Sequence, residues 1–278
     1  MMLALRVMTA LVLAPVFLAG IFFLPPGGFA LFIGVFLLLS AWEWGGLCDF
    51  GTGGRCLWSL LLAAAAAGIH LLDLESTVAL IGALAWMAGA LAVIAFPAGR
   101  ELWRLPAARA LAGLLMLLPA WAGLVLLQAR TGGAWLVLWT MVVVWAADIG
   151  GYFAGRAFGR RRLAPEVSPG KTLEGLAGGV LAALVVSTLL AGAAGYGVDA
   201  LGWLIVASVA VIAASVVGDL MESLIKRVAG VKDSGTLLPG HGGILDRVDA
   251  VLAAAPVSAV VLTALEVVPG GWLGQWFA

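Results

Sequence analysis

Asp219, Glu222, Ser223 and Lys226 recur at i, i+3, i+4 and i+7, which places two acids, a hydroxyl and an ammonium on one face of a helix. Arg227 follows, and then a glycine-rich loop carrying Lys232, Asp233, Gly235, His241, Gly242 and Gly243. Asp246, Arg247 and Asp249 open the next apolar run. Asp246 and Asp249 are three apart, so both carboxylates can face one point. Two or three hard carboxylate oxygens are what Mg2+ takes from a protein, with substrate phosphates completing its shell. Asp219, Asp246 and Asp249 are therefore candidate metal ligands, and the bases beside them suit phosphates.

Asp148 lies within an apolar stretch about two turns before a basic loop. An ionisable group at such a position is costly and marks a functional site by default, so Asp148 joins the candidate ligands. Gly151 and Gly155 are four apart and fit close helix packing. Next come Arg160, Arg161 and Arg162, and then Ser168, Gly170, Lys171, Thr172, Glu174 and Gly175. Gly170, Lys171 and Thr172 resemble the end of a P-loop, but its first glycine would fall on Pro165 and no strand precedes it, so that reading fails. Ser168 suits a helix cap, Glu174 the positive end of the helix dipole, and Lys171 a phosphate beside free N–H groups. In the first half, Glu43, Asp49 and Glu101 read as solvated or paired interface charges, and His70 as a packing residue. Cys48 and Cys56 are too few for a zinc site and read as ordinary thiols.

The elements that must hold these groups are membrane helices. The chain of 278 residues is 63% hydrophobic and 11% charged, where soluble domains carry about 25% charged residues. Zero formal net charge gives no electrostatic footprint for nucleic acid. Apolar runs at about 4–24, 28–46, 56–72, 77–96, 108–128, 134–155, 174–194, 200–220 and 246–268 predict nine spans, an all-α polytopic fold. The first run has no small-residue cleavage pattern and reads as an uncleaved span rather than a signal peptide. With the N-terminus inside, only Arg130 of the 15 Lys and Arg residues falls on the outer side, together with Asp73, Glu75 and Asp199. Trp42, Trp44, Trp58, Trp103, Trp135, Trp203 and Trp272 fall near span ends and read as interface anchors. The chain divides into residues 1–132, with about five spans and little chemistry, and residues 133–278, with about four spans and the chemical groups.

The segment from Ser223 to Asp249 resembles the signature of bacterial phosphatidate cytidylyltransferases, also called CDP-diacylglycerol synthases. The matching positions are Ser223, Lys226, Arg227, Lys232, Asp233, Gly235, His241, Gly242, Gly243, Asp246, Arg247 and Asp249. Residues 148–175 resemble upstream blocks of the same family, with Gly170 where the family commonly has a second lysine. The resemblance implies transfer of the cytidylyl group of CTP to phosphatidic acid, with release of pyrophosphate and a requirement for Mg2+, and leaves room for a second cation and for a homodimer. It implies a multi-pass protein of the bacterial inner membrane with its active site facing the cytoplasm. Asp219, Asp246, Asp249, Lys226 and Arg247 would carry catalysis. Lys171, Ser168, Ser223, Arg227, Lys232, His241, Gly242 and Gly243 would bind substrate phosphates. A polyprenol kinase would instead pass on the γ-phosphoryl group. A CDP-alcohol phosphotransferase would need an Asp-Gly entry to its acids that is absent before Asp246, and a transporter would place its charges near the midplane within repeats.

Overall fold

In the computed structural model, residues 14–193, 198–238 and 242–266 are described. The helices are α1 (Ala14–Phe23), α2 (Pro26–Leu47), α3 (Thr52–Leu71), α4 (Glu75–Ala95), the short α5 (Arg100–Arg104), α6 (Pro106–Gln128), α7 (Gly133–Phe158), α8 (Leu173–Ala193), α9 (Val198–Val228) and α10 (Leu245–Glu266). Eight of them, α2 to α4 and α6 to α10, are long and apolar enough to cross a membrane. The first expected span is represented by α1, whose earlier residues lie outside the described ones. Large hydrophobics such as Phe23, Leu31, Leu71 and Ile94 point outward, as a lipid-facing surface requires.

The most buried helix is α6, packed by α2, α4, α7 and α10. Association between helices in lipid depends on close packing and hydrogen bonds rather than on the hydrophobic effect. Both are visible here. Trp121 Nε1 donates to Ala30 O at 3.1 Å, and Gln128 Nε2 donates to Ile21 O at 2.8 Å, tying α6 to α2 and α1. The Thr140 and Ser258 hydroxyls share a bond of 2.6 Å between α7 and α10. Trp44 is not an interface anchor: it is fully buried, and its Nε1 donates to Arg109 O at 2.8 Å. Arg109, itself only 2% exposed, turns back to donate to Leu47 O and to Asp49 Oδ2, so Asp49 is a paired charge as its position suggests.

One feature departs from the expected elements. Residues 162–172 form a small hairpin rather than an irregular loop: β1 (Arg162–Ala164) pairs antiparallel with β2 (Ser168–Thr172), with Arg162 opposite Thr172 and Ala164 opposite Ser168. Ser168 therefore lies in a strand, and the cap of α8 is Thr172, whose Oγ1 accepts from Gly175 N at 3.0 Å. Past its apolar run α9 continues to Val228, so Asp219, Glu222, Ser223 and Lys226 do share one helix, before Gly230 turns the chain at φ +74°.

Candidate active site

Four elements position the predicted side chains. Asp148 sits on α7, Lys171 on β2, Asp219 to Arg227 on the final turns of α9, and Asp246 to Asp249 on the first turns of α10. The approach of α7 to α8 is close because the contact is glycine on glycine: a Cβ on Gly175 would stand 2.9 Å from Gly151 O. Gly151 and Gly155 thus serve packing, as their spacing suggests. Likewise α10 reaches α9 through Gly218, where a Cβ would meet Asp249 O at 2.7 Å.

The hairpin delivers Lys171 to α9. Glu174 Oε2 accepts from the Arg160 and Arg161 amides at 2.9 and 3.1 Å, which pins the chain ahead of β1 to the first turn of α8. Arg227 Nε donates to Val167 O at 3.3 Å and ties the hairpin's connection to α9. Lys171 Nζ then forms an ion pair with Asp219 Oδ2, while Ser223 Oγ donates to Asp219 Oδ1 at 3.4 Å. Asp148, Tyr152, Arg156, Lys171, Thr172 and Asp219 line one cavity of about 490 Å3 between α7, β2, α8 and α9.

A second cluster lies beside the first. Lys226 Nζ bridges Glu222 Oε2 and Asp246 Oδ1 at 2.7 Å each. Asp246 is also the anchor of the glycine-rich loop: its oxygens accept from Ser234 N at 3.0 Å and from Gly243 N at 2.9 Å. Gly242 holds a φ of +83°, open to glycine at little cost, and its carbonyl accepts from Leu238 N at 2.9 Å. Arg247 lines an apolar cavity of about 330 Å3 between α2, α6, α7 and α10. Lys232 and Asp233 are exposed. His241 lies outside the described residues, as do Arg6 and Trp272.

The structure brings Asp148, Lys171, Asp219 and Asp249 into one electrostatic neighbourhood, with Lys226, Glu222 and Asp246 adjoining. Five acids therefore meet two lysines. Carboxylate oxygens are the donors that Mg2+ prefers. Among the described residues, however, no three acids gather closely enough to hold one ion directly. Asp246 has the least to offer a metal, since its oxygens already take Lys226 and two backbone amides. Asp148 and Asp249 are less committed, while Asp219 is shared between Lys171 and Ser223.

Two site residues carry more than the sequence suggests. Glu222, 0% exposed, belongs to the Lys226 bridge. Glu43, near the end of α2 and 2% exposed, is no solvated charge: its Oε2 accepts from Leu245 N at 2.8 Å and from Ser234 Oγ at 3.3 Å. The signal was present, for the argument that singles out Asp148, an acid inside an apolar span, applies equally to Glu43.

Residues 4–265 match the model of the Cytidylyltransferase family. The chain belongs to that family. It is 43% identical over 273 residues to the phosphatidate cytidylyltransferase of Pseudomonas aeruginosa, covering 98% of this chain and 99% of that protein. With the phosphatidate cytidylyltransferase of Haemophilus influenzae it shares 37% identity over 278 residues, covering 92% of this chain and 96% of the relative. The phosphatidate cytidylyltransferase of Bacillus subtilis is 44% identical over 124 residues, 45% of this chain and 46% of that protein. The resemblance read from residues 148–175 and 223–249 is thus a family relationship across nearly the whole chain.

Proposed function

We propose that the protein transfers the cytidylyl group of CTP to phosphatidic acid at the cytoplasmic face of a bacterial inner membrane. The reading is carried by the meeting of Asp148, Lys171 and Asp219 on one cavity, with the Lys226–Asp246 bridge close by on α9 and α10, in a chain that matches a phosphatidate cytidylyltransferase over 98% of its length. An oxygen of the lipid phosphate attacks the α-phosphorus of CTP. The new P–O bond forms as the bond to the β-phosphate bridging oxygen breaks, and pyrophosphate leaves. The nucleophile is already an anion, so no side chain need remove a proton, and catalysis rests on positioning and on neutralising charge.

In this reading Lys171 and Arg156, on the cavity wall, bind the triphosphate. Lys226 neutralises the acids at the head of α10 and keeps the glycine loop in place through Asp246. Asp219, Asp249 or Asp148 would offer Mg2+ single carboxylate oxygens rather than a closed set of three, with substrate phosphates completing its shell, and the ion would supply the positive charge that lets two anions meet. Arg247, on an apolar cavity, suits the phosphate of a lipid whose chains remain in the hydrocarbon. The orientation is supported by contacts as well as by charge. The end of α2 meets the start of α10 through Glu43 and Leu245, while Arg130, the outer base, meets Thr263 near the far end of α10 at 3.3 Å.

The test is incubation of purified protein with labelled CTP, phosphatidic acid and Mg2+. One pyrophosphate per CDP-lipid is expected, with loss of turnover on EDTA and recovery on added Mg2+. Formation of CDP with a phosphorylated lipid alcohol would replace cytidylyl transfer with a kinase reaction.

A further inference from the structure

We infer that Glu43, from the half of the chain that carries no signature residue, positions the signature loop and the start of α10. The first N–H groups of a helix lack partners within it, and a carboxylate is the favoured group beside them. Here that carboxylate comes from another helix. Glu43 Oε2 takes the amide of Leu245, the first residue of α10, and the hydroxyl of Ser234. Ser234 is gripped from two sides, because its amide is bonded to Asp246. The two signature glycines nearest to Glu43 are small for the same reason. A Cβ on Gly235 would run into the Glu43 carboxylate, and one on Gly243 would stand 2.9 Å from its Cδ. Gly235 and Gly243 thus make room for Glu43, and the loop, the α10 start and α2 close around one buried carboxylate. Asp246, Arg247 and Asp249 follow directly from the capped residue, so their placement relative to Lys226 and Asp219 depends on this cap. Among the described residues Glu43 has no hydrogen bond or ion pair to Asp148, Lys171, Asp219, Lys226, Asp246 or Asp249, and it acts through Leu245, Ser234 and the glycines that abut it.

Local amide exchange in the full-length protein in lipid nanodiscs tests this without any activity. Glu43→Ala is expected to speed exchange at Leu245 and across residues 232–238 by about tenfold or more, with the amides of α6 unchanged, which separates a local loosening from a general loss of stability. Glu43→Gln keeps an acceptor oxygen for Leu245 and Ser234 and recovers most of that protection. If Glu43→Ala does not fold, Gly235→Ala, which drives a methyl group into the carboxylate, is expected to loosen the same amides. Wild-type exchange at Leu245 in a folded Glu43→Ala or Gly235→Ala protein overturns the inference. The kinetic arm rests on the cytidylyl-transfer reading: Glu43→Ala lowers kcat by about 10²-fold, as a misplacement of about 1 Å does, and Glu43→Gln restores most of it. Faster exchange with unchanged kcat would leave Glu43 a merely structural cap. A wild-type protein inactive on CTP and phosphatidic acid would refute that reading and leave the exchange result standing.

Discussion

Lys171 Nζ, on the second strand of the hairpin, is ion-paired with Asp219 Oδ2 on the C-terminal third of α9. Both side chains are about a quarter exposed, and both line the same cavity, so a substrate entering it meets the pair directly. Lys171→Met and Asp219→Asn are each expected to lower kcat/KM for CTP by about 10²–10³, the loss that follows removal of one charge-stabilising group. The double variant loses less than the product of the two, because each single change strands a charge. Steady-state kinetics in which the two losses simply multiply would show that the ion pair is not a functional unit.

Asp246 and Asp249 face different tasks although they are one turn apart. Asp246 closes the Lys226 bridge, and all three members of that bridge are largely buried. Breaking such an arrangement costs about 3–5 kcal/mol. Asp246→Asn is therefore expected to lose thermal stability in detergent as well as turnover. Asp249 faces the like charge of Asp219, offset in part by Lys226 and Lys171, and among the described residues closes no ion pair of its own, so its replacement costs little stability. Asp249→Asn should keep or raise the melting temperature and lose turnover. Equal destabilisation of the two variants would contradict this division.

The contact of Gly218 with Asp249 O sets the separation of α9 and α10. Gly218→Ala must push the helices apart, at a cost of about 1–3 kcal/mol for overpacking. Because Asp219 and Asp249 lie on either side of that contact, the expected loss of turnover exceeds the fraction of protein unfolded. Melting curves and kcat measured on the same preparation check this; a kcat that only tracks the folded fraction would count against it.

The cysteines differ sharply. Cys48 is buried against the end of α2, and burial pushes its thiol up to about 12, with Asp49 adding to the shift. Cys56 is exposed. A membrane-permeant maleimide at about pH 8 should add once, at Cys56, since only a thiolate reacts. Intact mass and peptide mapping read the outcome, and adduct formation at Cys48 would show that the packing around Trp44 opens.

Orientation follows from the basic residues. With Cys48 and Cys56 removed, single cysteines at Ser168 and Asp199 are expected to label from opposite sides of sealed vesicles with an impermeant thiol reagent. Labelling from one side would reverse the assignment of the cavity to the cytoplasm.

The spans were legible because crossing hydrocarbon demands an apolar run of fixed length, and each described long helix coincides with one such run. The hairpin was not, because its strands are short and its sequence, with Pro165, Pro169, Gly170 and the charged Arg162, Glu166 and Lys171, has the composition of a loop. It is tied down by tertiary bonds such as that from Arg227 to Val167. Hydropathy alone also ended α9 too early. The helix continues through charged residues because Glu222 and Lys226 pair across one turn and no breaker precedes Gly230. Convergence of Asp148, Lys171 and Asp219 could be guessed from their types, but not the partner that each would take. Glu43 was misread because its partners are backbone amides and a hydroxyl nearly 200 positions later in the chain, a distance over which spacing carries no information.

The length of α9 has a consequence for how such a catalyst meets its lipid. Its 31 residues rise about 1.5 Å each, roughly 46 Å in all, against a hydrocarbon layer of about 30 Å. In the proposed orientation the helix is long enough to carry Asp219 to Lys226 to the depth of the headgroups rather than into the acyl layer. A lipid at that depth arrives and departs by lateral diffusion and never leaves its leaflet. For the proposed reaction the relevant concentration is thus two-dimensional. At a fixed bulk amount of phosphatidic acid, adding inert phospholipid to the vesicles slows turnover by surface dilution.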